Sequence, residues 1–172
     1  MDIDWYDIPG YKLLLKSTLM TLKQAKVQQY PESLVKTTLI MIYNEKLLPI
    51  FMNIVLRKTN LYDTVGVVHS LSLIRQWFKF VERHFCTLPT SFDFKFFERA
   101  IIDVIKYDHA LVKSKMIWLL YKSLEIFRTD HKAKIITLLL DTHFNELFYN
   151  WSWQVRLLLN HFMFYAVHFT FI

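Results

Sequence analysis

Histidine, cysteine and carboxylate side chains move protons, hold metals and attack carbonyls, and this chain arranges them in few productive ways. Its seven histidines are His69, His84, His109, His131, His143, His161 and His168. None lies in a His-Glu-x-x-His helix, and the single cysteine, Cys86, cannot make a Cys-x-x-Cys pair. His161 and His168 are seven apart and so share a helix face, yet no acidic residue accompanies them there. His84 and Cys86 are two apart near a helix end and point to different sides. Asp103 and Asp108 fall at another helix end, where capping or solvation accounts for them. There is no Gly-x-Ser-x-Gly elbow and no glycine-rich phosphate loop. These residues nominate no catalytic group, metal or cofactor. The expectation is a protein that is not an enzyme and takes no small-molecule substrate.

Binding is better represented. Lys113, Lys115, Lys122, Arg128, Lys132 and Lys134 cluster in the second half, relieved only by Glu125 and Asp130, in a chain of net charge +6. Lys115 and Lys122, seven apart, project from one helix face. Such a cluster suits RNA phosphates, lipid headgroups or an acidic protein surface, but a solvated outer face of a repeat is the favoured reading. The charge density is well short of a nucleic-acid arm and no aromatic-basic stacking signature occurs, so nucleic acid is not an expected partner. Phe144, Phe148, Tyr149, Trp151 and Trp153 crowd one helix junction, and Trp77, Phe78 and Phe80 sit together on another helix. Tryptophan and tyrosine serve both cores and binding hot spots. Residues 77, 78 and 80 cannot all point inward, so at least one reaches a flanking helix or a partner.

Residues 157–172 are apolar on nearly every side, which is normal only for a buried helix. That segment is expected to be covered by a further repeat, another protomer or a membrane surface. The candidate partner-binding residues are therefore Lys113, Lys115, Lys122, Lys132, Lys134, Trp151, Trp153, Phe164 and Phe169.

The elements that position these groups follow from composition and period. The chain has 172 residues, 53% hydrophobic and 17% aromatic, enough for a real core and too apolar for disorder. Only Gly10 and Gly66 supply free backbone positions, which argues against all-β and doubly wound folds. The class is all-α. One cysteine and an acidic start (Asp2, Asp4, Asp7) point to a reducing compartment, cytosol or nucleus, and the expectation is a cytoplasmic protein, with peripheral contact to a membrane as a further option. No stretch approaches the ~18 uncharged apolar residues of a spanning helix.

A leader over residues 1–10 precedes helices expected at about 11–28, 32–43, 46–57, 63–85, 92–107, 109–127, 131–140 and 144–149, and a last one capped by Ser152. The expected buried stripes include Leu14, Leu15, Thr18, Leu19 and Leu22 in the first helix. In the last they are Val155, Leu158, Phe162, Tyr165 and Phe169. Asp63 is an N-cap, Thr90 with Asp93 reads as a capping box, and Thr129-Asp130 reads as a break. No linker divides the chain, so residues 1–172 read as one domain.

Four helix starts carry a valine at 35, 67, 112 and 155, spaced 32, 45 and 43 apart, near the roughly 40–47 period of stacked helical repeats. Lys36, Lys113 and Arg156 follow three of them directly. Asp108…Val112-Lys113 and Trp151…Val155-Arg156 resemble the turn-then-Val-Arg pattern of HEAT and armadillo repeats. That resemblance implies antiparallel helix pairs stacked as an α-solenoid, and a scaffold that holds protein partners or further repeats of a longer chain. The alternative is an irregular helical bundle. A narrower resemblance is to the fungal family called domain of unknown function 1765, where a phenylalanine-rich helix runs into His-Trp-Ser-x-x-Val-Arg. Here Phe144 to Tyr149 runs into Asn150-Trp151-Ser152-Trp153-Gln154-Val155-Arg156, with Asn150 in place of histidine. It implies no catalytic residues.

Overall fold

Turn-forming residues end up at helix ends, and the helices follow from where they fall. The structure, a computed structural model, describes residues 5–170, with side chains described as far as 167. All regular structure among these residues is helical: α1 (Tyr11–Gln24), α2 (Glu32–Met41), α3 (Leu47–Lys58), α4 (Thr64–His84), α5 (Phe94–Lys106), α6 (Ala110–Ser123), α7 (Thr129–Thr137), α8 (Phe144–Phe148) and α9 (Trp153–Thr170). Short 3-10 turns at Val27–Gln29 and Leu124–Ile126 complete what the sequence read as the ends of longer helices. A π-helical turn, Leu138–Thr142, extends α7, closed by the His143 amide on the Leu138 carbonyl.

Caps explain most boundaries. Asp63 accepts the Gly66 amide at 3.0 Å, as expected of an N-cap, and that bond holds its carboxyl below the ordinary value. A Cβ on Gly66 would lie 2.7 Å from the same carboxylate, so a larger residue there would push the capping side chain aside. Asp93 caps α5 by itself, its carboxylate accepting the Phe96 amide at 3.0 Å. The expected box led by Thr90 is thus corrected. A turn from Pro89 to Phe92 delays the helix start to residue 94. Thr129-Asp130 does not break a helix but forms the first turn of α7, where Asp130 meets the positive end of the dipole.

Packing groups the chain into two compact units, one of residues up to Trp77 with 89–92, the other of residues 78–88 with 93 onward. No Gly/Ser linker marks the divide because it falls inside α4. In the first unit Phe51, Leu48, Val55 and Trp77 are fully buried. The Trp77 indole donates to Thr38 Oγ1 at 3.0 Å, so its one polar group is satisfied. The Lys58 ammonium caps the C-terminal end of α1 on the carbonyls of Leu22, Lys23 and Ala25. The α1 stripe differs from expectation: Tyr11, Thr18 and Leu22 are buried while Leu14 is 50% exposed. Asn44 donates to the Tyr11 hydroxyl at 3.1 Å, and this buried bond sets which face turns inward.

The core of the second unit is aromatic. Phe78 meets Phe97 and Phe127 edge-on at 5.7 Å each, and Phe97 stacks on Phe127 at 5.9 Å. Trp77 and Phe78 therefore fill different cores, while half-buried Phe80 packs beside His84 and Phe85. This resolves why three neighbouring aromatics need not share one face. Val112, Met116, Leu119 and Leu120 of α6 are buried as the period requires.

Beyond α4 the chain turns at Cys86, a non-glycine residue at φ 64° whose amide bonds the Val81 carbonyl. Left-handed backbone costs a side-chain-bearing residue about 1–2 kcal/mol. Cys86→Gly is expected to raise stability by about 0.5–1 kcal/mol in urea denaturation. An unchanged or lower midpoint would contradict this.

Candidate functional site

The most concentrated exposed apolar surface of the second unit lies along α6 and α9. Asp108–Leu111 lies beside Trp151–Gln154, Ser114–Trp118 beside Leu157 and Leu158, and Tyr121 and Glu125 beside Tyr165. The two helices therefore run side by side in the same direction. They bury Val112, Met116, Leu119 and Leu120 from one side and Val155, Leu159, Phe162 and Ala166 from the other. The α9 stripe is thus one position away from the expected Leu158 and Tyr165, which are only half-buried. Phe169 lies outside the described side chains, as do Phe171 and Ile172.

Along the solvent edge of this pair run two adjoining cavities of about 360 and 460 Å³. Both are lined by Leu111, Trp153 and Gln154; the first adds Ser114, Lys115, Trp118 and Leu157. The apolar lining is open: Leu111 and Leu157 are each 42% exposed, Trp118 40%, Trp153 62% and Trp151 77%.

Of the basic residues singled out by the sequence, the groove takes in Lys115. Lys122, on the same α6 face, lies over the Trp118 ring at 4.7 Å and the Tyr121 ring at 4.9 Å. Lys113 does not join them. It is 2% exposed and its ammonium meets Glu146 at 2.7 Å and Asp108 at 3.6 Å. Position 113 follows Val112 on the inward side of α6, so its charge is spent inside the fold. Lys132 pairs with Glu125 at 2.7 Å, and Lys134 lies over the Phe94 ring at 5.9 Å. Trp151 and Trp153 are both in the groove. Phe164 is 77% exposed on the α9 face of Trp153 and Leu157, farther along.

Trp118, Leu111 and Leu157 were missed from sequence. Their signal was phase: Leu111 and Trp118 are seven apart and alternate with Lys115 and Lys122 along one helix face, off the stripe of Val112, Met116 and Leu119.

The described histidines have local partners. His131 stacks on Phe94 at 4.0 Å, His109 on Tyr107 at 6.1 Å, and His143 meets Glu146 at 3.2 Å. Among the described residues no group of three His, Cys, Asp or Glu side chains converges as a metal site would, and no helix is long and apolar enough to cross a membrane.

An all-helical protein with an aromatic groove is the class that fold and surface define. The chain matches the family described as protein of unknown function, DUF1765, over residues 48–167, and it belongs to that family. The match takes in the Trp151-Ser152…Val155-Arg156 segment and both helices of the groove. Comparison with curated proteins and with solved structures gives no match.

At the far end of the helix pair, Tyr165 donates to Glu125 at 2.7 Å, and Lys132 donates to the other oxygen. Burial alone would raise the Glu125 carboxyl, but these two bonds outweigh it and hold it below its ordinary value. Burial and the carboxylate both push the Tyr165 phenol well above its ordinary value. The signs are opposite at the two ends of the pH scale. Glu125 contributes stability above about pH 4.5 that is lost as pH falls, and Tyr165 contributes stability below about pH 10 that is lost as pH rises. In an ultraviolet phenolate titration, Glu125→Gln is expected to bring one late-titrating tyrosine to lower pH. Identical curves for both proteins would contradict the pairing.

Proposed function

We propose that this chain is a non-catalytic protein-binding module whose helices stack in the manner of HEAT and armadillo repeats and whose partner seats on the groove of α6 and α9. The observation that carries the reading is the exposure of Trp118, Trp151 and Trp153 around adjoining cavities. Tryptophan is the residue type most enriched at binding hot spots, and three of them on open, apolar-lined cavities need a reason to stay uncovered.

The repeat reading draws support from two equivalences. Val112 and Val155, 43 positions apart, are both fully buried, and α6 and α9 run parallel as corresponding helices of successive repeats do. The base after each valine also reaches back to the residues before its own helix. Lys113 reaches Asp108, and Arg156 donates to the carbonyls of Asn150 and Trp151. The rival reading, a basic surface for lipid headgroups or RNA, is weakened because Lys113 is buried and Lys132 is paired.

A photo-crosslinking amino acid in place of Trp153 tests this in cells that naturally make the protein. Tyr62, 83% exposed in the first unit, is the control position. A discrete protein adduct at 153, absent at 62 and lost with Leu157→Glu, is the expected result. No protein adduct at 153, or the same adducts at both positions, would overturn the proposal.

A further inference from the structure

The charge around the groove narrows what fits it. Neither α6 nor α9 contains an aspartate or glutamate, so the one carboxylate among the residues lining the groove is Asp108, just before α6. Lys115 lines the cavity beside Trp118, and Lys122 lies one turn farther on over the Trp118 ring. The nearest carboxylates lie before and after α6. Asp108 is within 3.6 Å of Lys113, and Glu125 is taken up by Lys132 and Tyr165. One end of the groove is therefore tryptophan-lined, with Asp108 held by Lys113, and the other is rimmed by lysines. From Asp108 to Trp118 the lining spans ten residues of chain, about 15 Å if helical throughout, the length of about three turns of a docked helix.

We infer that the groove takes a short acidic amphipathic helix from a partner protein. Its bulky apolar residues, at the i, i+4, i+7 spacing of helix-in-groove recognition, enter the cavities between Trp153 and Trp118. Its Asp and Glu residues lie toward Lys115 and Lys122. The two parallel helices leave a trough into which a third helix packs, and with the one lining carboxylate, Asp108, beside Lys113 at the tryptophan end, an acidic segment meets no carboxylate toward Lys115 and Lys122. An anionic membrane surface is the competing occupant. It is less favoured because the tryptophans line concave cavities and the lysines rim one end only. The inference rests on the protein-binding reading and deepens it.

Selection of a random displayed library of peptides about twelve residues long, on the full chain, tests it. Dissociation constants of the enriched peptides are then measured by fluorescence anisotropy. The comparison set is wild type, Trp153→Ala, and the double substitution Lys115→Glu with Lys122→Glu, each checked by circular dichroism for an unchanged fold. The expected peptides carry two or more bulky apolar residues and net negative charge. Binding should weaken about tenfold or more with Trp153→Ala and with the double lysine reversal. It should also weaken as salt is raised.

Enriched peptides that need Trp153 but carry no net negative charge and ignore the lysine reversal would overturn the acidic-helix inference while leaving the protein-binding reading in place. Peptides indifferent to Trp153, or no enrichment, would overturn both. So would Trp153-dependent binding to phosphatidylserine vesicles with no peptide enriched.

Discussion

A lysine ammonium that is 2% exposed is tolerable only where its charge is met, and in the second unit that condition fixes the groove. Lys113 leaves α6 on the inward side and meets Glu146 of α8 at 2.7 Å, with Asp108 at 3.6 Å. The pair ties α6 to the short helix that leads directly into Tyr149, Asn150 and Trp151. Desolvating the lysine offsets much of its attraction to Glu146, whose side chain stays 38% exposed, so the pair adds little net stability over an apolar substitute. Breaking it is a different matter. It leaves the buried ammonium with Asp108 alone, an exposed carboxylate at 3.6 Å. Its role is therefore to specify where α8 lies against α6.

The same short stretch is held from its other end. Arg156, in the first turn of α9, donates to the carbonyl of Asn150 and at 3.1 Å to that of Trp151. The Asn150 side chain accepts the Ser152 amide at 3.0 Å, making a local turn just before α9 starts. Trp151 and Trp153 flank that turn. Their exposure is a consequence of a clamped backbone, because the groups around them are bonded and buried. A rigid aromatic surface loses little side-chain freedom on binding, which is the property a partner site needs.

Much of the fold was legible because long apolar periods leave few choices. The helices expected at 63–85, 92–107 and 109–127, the gap between the first two of these, and the Asp63 cap follow directly from residue type and spacing. The two misread stripes, in α1 and α9, have one physical origin. A period defines a face but not its rotation, and tertiary hydrogen bonds set the last one or two positions. Tyr11 bonded by Asn44 turns α1 so that Leu14 is outside, and Tyr165 bonded to Glu125 sits at the edge of α9 rather than in the core. The site was half legible. Trp151 and Trp153 stood out by type, but only packing brings α6 beside α9, residues some forty positions apart, and so adds Leu111, Trp118 and Leu157. Lys113 looked like its neighbours Lys115 and Lys122 because composition does not record direction.

The Lys113–Glu146 contact, with its lysine buried, determines where the Tyr149–Trp153 segment lies. Hydrogen–deuterium exchange of Glu146→Ala against wild type tests this most directly. Faster amide exchange confined to α8, residues 149–156 and the start of α6, with α3 unchanged, is the result the account predicts. Unaltered protection across residues 149–156 in a folded Glu146→Ala protein would contradict it.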